Sequence, residues 1–285
     1  IDKDMGGLTS YVLQLYRMID KEEFELTLLS YDDPQNFDVN YNVETVSRPY
    51  HTIQFYKKMK CLLSEGKDII HFHQSYVNII PILIAKLAGF KTIILHAHSS
   101  SIDDNRKIVR FLKTGLHKVG RFLLPYLVDT YVGCSTKASE WMFPRKCIDS
   151  DSYYLLHNAI DLDLYDRNIN LGLEVRQKFN IPKDALVVGH IGRFTPVKNH
   201  PFIIDIFKEV LKQNPNSYLF LLGDGVERHK IESLVKSAAI SDKVIFMGYV
   251  NNTVDIMQAI DIMILPSLFE GLPPVSYTHL TLPTT

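Results

Sequence analysis

A chain of 285 residues, 46 % hydrophobic and 22 % charged, has material for one large or two modest cores and is too apolar for disorder. Its formal net charge of −1 argues against a nucleic-acid binder, which would need a basic excess. Cys61, Cys134 and Cys147 are too widely spaced for metal-type pairing and read as reduced thiols of a cytoplasmic protein, while no apolar run reaches bilayer-spanning length and no signal-peptide pattern opens the chain.

The chain opens without Met, and Ile1 to Gly7 reads as a loop entering a helix, so a first strand is expected to precede it. Leu8, Tyr11, Val12, Leu15, Met18 and Ile19 recur at helical spacing after Gly6-Gly7. Phe24 to Tyr31 is a predicted strand, and Asp32 to Asn42 a polar loop. A helix through Phe55, Met59, Leu62 and Leu63 leads to a strand over Asp68 to Phe72. The next helix carries Val77, Ile80, Leu83, Ile84 and Leu87, and Gly89 closes it. Strand Lys91 to Leu95 empties into His96-Ala97-His98-Ser99-Ser100-Ser101. A long helix over 105–127 follows, then short strands at Asp129 to Gly133 and Tyr153 to Leu156.

The polar stretch Asn158 to Asn170 is the expected hinge. Beyond it, strand Leu186 to Ile191 stops at Gly192, and Asn199 is the expected N-cap of a helix with Pro201 in its first turn. Strand Tyr218 to Leu222 ends at Gly223-Asp224-Gly225, strand Val244 to Phe246 at Gly248, and strand Ile262 to Leu265 at Pro266-Ser267-Leu268-Phe269-Glu270-Gly271-Leu272-Pro273. Strands alternating with helices imply an α/β chain of two Rossmann-like, doubly wound parallel-sheet domains facing a cleft. The expected division is 1–165 for the first domain and 166–275 for the second, with 276–285 outside both.

Arg193 and Lys198 follow a strand end at a spacing of five, where open α/β sheets receive anions. A guanidinium can bridge two phosphate oxygens and a nearby lysine adds a mobile charge, so a diphosphate is the inferred ligand. The competing reading is two solvated surface cations. Gly223-Asp224-Gly225 admits a ligand to the backbone or makes an ordinary tight turn. Glu270 could accept bonds from two sugar hydroxyls beside free N–H groups at Gly271 and Leu272, or be an exposed acid in a turn. His98 could donate to a sugar or phosphate oxygen, or move a proton. As metal ligands His96 and His98 lack a third partner at recognisable spacing, and His71 with His73 could equally be core-edge residues, so no metal site is expected. Gly6-Gly7 before a helix could receive a phosphate or an acceptor sugar, though a lone glycine pair is unspecific.

Helix 105–127 carries Arg106, Lys107, Arg110, Lys113, Lys118 and Arg121, with no acid. Beside Ile108, Phe111, Leu112, Val119 and Phe122, that charge reads either as a surface for anionic membrane or as the solvated face of a packed helix.

The strings GRFTPVKNH, LLGDG, VIFMGY and DIMILPSLFEGLP stand in order with GGLTSYVLQLYR, IIHFHQS, HAHSSS, GCSTKASEWMF and HNAIDLDLY before them. Together they resemble the GT-B retaining glycosyltransferases of family four, in particular the capsule and exopolysaccharide type. The resemblance runs from residue 1 to about Pro273. It implies transfer of a sugar from a nucleotide-sugar donor to a saccharide or lipid-linked acceptor, by front-face chemistry and without a metal cofactor. It assigns the donor diphosphate to Arg193 and Lys198 with Gly192, Gly223, Asp224 and Gly225 around them, and sugar hydroxyls to Glu270, Gly271 and Leu272. His98 would sit at the donor sugar, and Gly6 and Gly7 at the diphosphate or acceptor. A cytoplasmic protein, peripheral at the inner face of the membrane, would follow.

The same resemblance expects a second glutamate eight positions after Glu270, where Thr278 stands, and SYTHLTLPTT lacks helical periodicity and reads as a foreign tail. The second domain is therefore expected to be incomplete, and nucleotide binding by residues 1–285 weak. A nucleotide-sugar epimerase of the same architecture and a non-catalytic nucleotide-sugar or membrane-surface module are the alternatives.

Overall fold

The computed structural model describes residues 7–31, 41–48, 51–102, 104, 106–159, 166, 168–250 and 252–272. Gly6, Thr278 and the 276–285 tail lie outside them. The described residues form two compact units, 7–159 with 269–272, and 166–268. Residues 269–272, read from the sequence with the second half, thus group with the first.

The first unit runs α1 (Gly7–Met18), β1 (Leu28–Ser30), β2 (Val43–Thr45), α2 (Thr52–Ser64), β3 (Ile69–Gln74), α3 (Ile79–Ala88), β4 (Thr92–Ala97), α4 (Lys107–Leu127), β5 (Thr130–Gly133), α5 (Thr136–Met142), α6 (Arg145–Ile148) and β6 (Tyr153–Leu155). Its main sheet is parallel throughout, in the order β3-β4-β5-β6. Alternation along β3 and β4 puts Ile70, Ile93 and Leu95 into a core with Met59, Ile82, Leu124 and Met142. The same alternation leaves His71, His73 and His96 on the opposite face.

Local signals set the helix ends. The Asn78 side chain caps α3 by accepting from the Ile80 N–H at 3.4 Å, and Gly89 closes it at φ 106°. The Ser135 hydroxyl caps α5 by accepting from the Ala138 N–H at 3.2 Å.

Two differences from the sequence reading have physical causes. The strand expected over Phe24 to Tyr31 shrinks to Leu28–Ser30, and its partner β2, a three-residue V-E-T, is too short to show a period. These two strands form a separate parallel ladder.

The second unit runs α7 (Ile169–Lys178), β7 (Leu186–Ile191), α8 (His200–Gln213), β8 (Ser217–Leu222), α9 (Arg228–Ser237), β9 (Val244–Gly248), α10 (Thr253–Met257) and β10 (Ile262–Met263). Its parallel sheet has the order β10-β7-β8-β9. One face packs Val188, Leu219 and Leu221 against Ile203, Phe207 and Ile231. The other packs Val187, Phe220 and Leu222 against Val175, Ala259 and Ile260, so helices cover both faces. Both units are Rossmann-like, as the alternation predicts.

Helix α7 escapes sequence reading because its buried face is Gly172, Val175 and Arg176, which makes no apolar period. The Arg176 guanidinium donates to the carbonyls of Ala259, Lys183 and Ala185 and to both carboxylate oxygens of Asp261, at 2.8–3.1 Å. Asp261 also accepts from the Val187 N–H at 2.7 Å. One buried cation thus holds α7, β7 and the entry to β10 together, and β10 leads directly into Pro266 to Leu268.

Candidate functional site

In the second unit, the carboxyl ends of neighbouring strands are joined by main-chain bonds. Gly192 N–H donates to Leu222 O (2.9 Å), Phe194 N–H to Asp224 O (2.9 Å), Gly223 N–H to Gly248 O (2.7 Å) and Leu268 N–H to Val197 O (2.8 Å). This bonding tolerates no side chain at two positions. A Cβ on Gly223 (φ 125°) would lie 2.1 Å from Gly192 O, and one on Gly225 (φ 155°) 2.7 Å from Phe194 O. The sequence-predicted Gly192, Arg193, Lys198, Gly223, Asp224 and Gly225 are therefore brought together.

Phe194 is fully buried and stacks on the His200 ring at 4.0 Å, which leaves its neighbour Arg193 exposed. No ion pair or side-chain hydrogen bond engages Arg193 among the described residues. The 3₁₀ turn Pro196–Lys198 brings the Lys198 stem back over Gly192, where a Cβ would meet Cδ at 3.2 Å and Cε at 3.3 Å. Both cations thus rise from one small-residue shelf at the sheet's carboxyl edge.

Two details correct the sequence reading. Asn199 stands at the α8 N-cap position but in the left-handed region (φ 54°), and its side chain donates to Pro266 O at 3.3 Å instead of capping. The Asp224 carboxylate is committed to its own loop. It accepts from the Gly225 N–H at 2.7 Å and pairs with Arg228 at 2.9 Å, bonds that draw it below the usual carboxylate range.

In the first unit, His98 follows β4, its N–H donating to Gln74 O at 3.0 Å. Residues 270–272 dock on the carboxyl ends of three strands. Ser100 Oγ donates to Glu270 O (2.8 Å), Ser135 Oγ to Gly271 O (2.9 Å) and Asn158 Nδ2 to Leu272 O (2.5 Å). A Cβ on Gly271 would stand 2.0 Å from His98 O, so the segment lies directly against that residue. The sequence-predicted His98, Glu270, Gly271 and Leu272 are brought together here. The anchors Ser100, Ser135 and Asn158 went unremarked as site residues, although each follows a predicted strand, and that placement was the available signal.

His98 Nε2 lies 2.9 Å from His73 Nδ1. Burial, with a lesser contribution from His71, lowers His98 to about 3. It is neutral near pH 7, so it can hydrogen-bond a hydroxyl but does not hold a proton in reserve. Helix α1 opens at Gly7, and one turn later Tyr11 packs on the His98 ring at 5.1 Å.

Imidazole nitrogens of His71, His73 and His96 all lie within 4.8 Å of one another, a grouping across the strand pair that linear spacing does not reveal.

Two Rossmann-like units with parallel sheets are the GT-B architecture. WaaG, a glycosyltransferase involved in lipopolysaccharide biosynthesis, shares the fold with a TM-score of 0.71 at 15 % identity, covering 98 % of this chain and 76 % of that one. HepE of Anabaena, solved in complex with UDP-glucose, does so with a TM-score of 0.70 at 17 % identity, covering 92 % and 71 %. Residues 173–277 match the group 1 glycosyl transferases, and residues 5–164, more than half of the chain, match Glycosyltransferase Family 4. The chain belongs to that family. It is 26 % identical over 288 residues to EpsF of Bacillus subtilis (strain 168), a protein named as a glycosyltransferase, covering 95 % of this chain and 72 % of that one. It is also 23 % identical to the UDP-Gal:alpha-D-GlcNAc-diphosphoundecaprenol alpha-1,3-galactosyltransferase of Escherichia coli, covering 94 % and 72 %.

Proposed function

We propose that this protein transfers a sugar from a uridine-diphosphate donor to a saccharide or lipid-linked acceptor, with retention, in surface polysaccharide synthesis. The observation that carries this reading is the exposed Arg193 beside a Lys198 stem folded over Gly192. Two cations carried on a rigid backbone shelf can take the charge that develops on a departing diphosphate. Within the first unit, neutral His98 and the adjacent Glu270–Leu272 segment are groups suited to hydrogen-bonding sugar hydroxyls. In front-face transfer the acceptor's proton passes to the departing diphosphate oxygen, so no protein base is required. The donor's base follows the relatives named for UDP sugars. Release of nucleoside diphosphate from a panel of nucleotide sugars tests the reading. Arg193→Ala should lower turnover about 100-fold with the fold retained, and unchanged turnover would refute it.

The same reading places the protein on an anionic membrane surface through α4. No described helix is long and apolar enough to cross a membrane. On α4, however, Ile108, Phe111, Leu112, Val119, Phe122 and Tyr126 are 58–78 % exposed. At 3.6 residues per turn they fall on one stripe of about 100°. Lys107, Arg110, Lys118 and Arg121 run along one side of it, the complement of anionic headgroups. Co-sedimentation with phosphatidylglycerol vesicles, lost in Phe111→Ser/Phe122→Ser and absent with phosphatidylcholine, is the expected result. Equal sedimentation of the variant would exclude α4 as the contact.

A further inference from the structure

We propose that His71, His73 and His96 form a binding site for a divalent cation of the zinc class in the first unit beneath α1, with His96 buried and His71 and His73 half-buried. The backbone assembles it. His71 and His73 stand two residues apart on one face of β3, and the parallel register sets His96 of β4 directly opposite His73. One nitrogen from each ring lies within 4.8 Å of the others. Tetrahedral coordination at about 2.0–2.1 Å puts nitrogens about 3.4 Å apart, so the nitrogens must draw in, and the His71 and His96 rings, stacked at 5.5 Å with planes 8° apart, must turn toward one cation.

The unsatisfied groups point the same way. His96 is fully buried, and neither of its ring nitrogens has a hydrogen-bond partner among the described residues. His71 Nε2 is likewise buried without one. Buried polar atoms in native proteins are ordinarily paired, and a bound cation would engage these. A donor set of imidazoles suits zinc, cobalt, nickel or copper, whereas magnesium and calcium require oxygen ligands.

The site has a consequence for its neighbour. His73 Nδ1 faces His98 Nε2 at 2.9 Å. A cation on His73 Nε2 would place the ring proton on Nδ1, making His73 the donor and fixing the orientation of His98. The cation is a positioning element and takes no part in bond breaking, so the inference stands apart from the transfer reading. Tyr11 covers the cluster, its ring 5.5 Å from that of His96, so loading is expected during folding.

The test is to refold the 285-residue chain from urea with Co²⁺ or Zn²⁺, remove excess metal and measure bound metal and the visible cobalt spectrum. About one equivalent and the intense absorption of tetrahedral nitrogen-bound cobalt are expected. His96→Gln and His71→Gln should lose both, while His229→Gln on the exposed face of α9 retains them. Retention of no metal, an octahedral oxygen-type cobalt spectrum, or full binding by folded His96→Gln would each overturn the proposal. Should the variants fail to fold, the spectrum of the unaltered chain decides.

Discussion

Gly223→Ala probes the shelf through a single methyl group. Two penalties apply. At φ 125° the backbone is one that L-residues rarely adopt, and the added Cβ would meet Gly192 O at 2.1 Å, with Gly192 C at 2.9 Å. Ordinary contact is over 1 Å longer than the first distance, and both partners are main chain, so the loop itself must move. A positive-φ penalty of about 1–2 kcal/mol and an overpacking penalty of about 1–3 kcal/mol apply. Offset by about 0.4–1 kcal/mol from the stiffer unfolded chain, they leave roughly 1–4.6 kcal/mol, with a midpoint near 3. Gly248→Ala is the control, since at φ 67° its nearest neighbour is the far end of Arg228 at 3.5 Å. With the positive-φ penalty and the same offset but no overpacking, it should cost about 0–1.6 kcal/mol. Urea unfolding of both variants measures the difference, and nuclear magnetic resonance of uridine diphosphate measures anion binding. Equal midpoints, or an intact anion site in folded Gly223→Ala, would refute the claim that glycine is needed there for close approach.

Arg176→Met should destabilise the second unit by about 3–5 kcal/mol, because the carbonyls it satisfies and Asp261 lose their buried partner. Thermal unfolding checks this, and a loss below about 1 kcal/mol would show the network to be dispensable. The first unit should weaken in mild acid. His71, His73, His96 and His98 are all held below the ordinary 6.5, chiefly by burial. Below about pH 6.5 the unfolded chain therefore binds protons that the folded unit refuses. Stability should then fall by up to about 1.4 kcal/mol per pH unit for each histidine until the folded values are approached. A flat urea midpoint between about pH 7.5 and 5.5 would contradict that sign. Gly271→Ala should displace residues 270–272 from His98 and lower transfer while uridine diphosphate binding persists. Transfer at the original rate would show that this contact does not matter.

What the sequence disclosed followed from how each feature is encoded. Parallel strands such as Leu186–Ile191 and Ser217–Leu222 are apolar runs, and their ends are marked by glycines, so the sheets and the basic loop could be placed by eye. Helix α7 could not, because it buries a glycine and an arginine where apolar residues would mark a period. The docking of residues 270–272 was hidden for another reason. It depends on Ser100, Ser135 and Asn158 at the ends of three different strands, and only the folded sheet aligns them. The histidine cluster was missed similarly, since its third member lies across a parallel ladder, where linear spacing carries no signal.

Phosphorus line broadening of uridine diphosphate, compared between the unaltered chain and Arg193→Ala/Lys198→Ala, tests the central claim most directly, because it detects weak binding and needs no acceptor. Broadening by the unaltered chain and a loss of about 100-fold in affinity in the folded double variant are expected for two cations on one diphosphate. Equal broadening by both proteins would mean that the anion is held elsewhere, and the account of this shelf would fail.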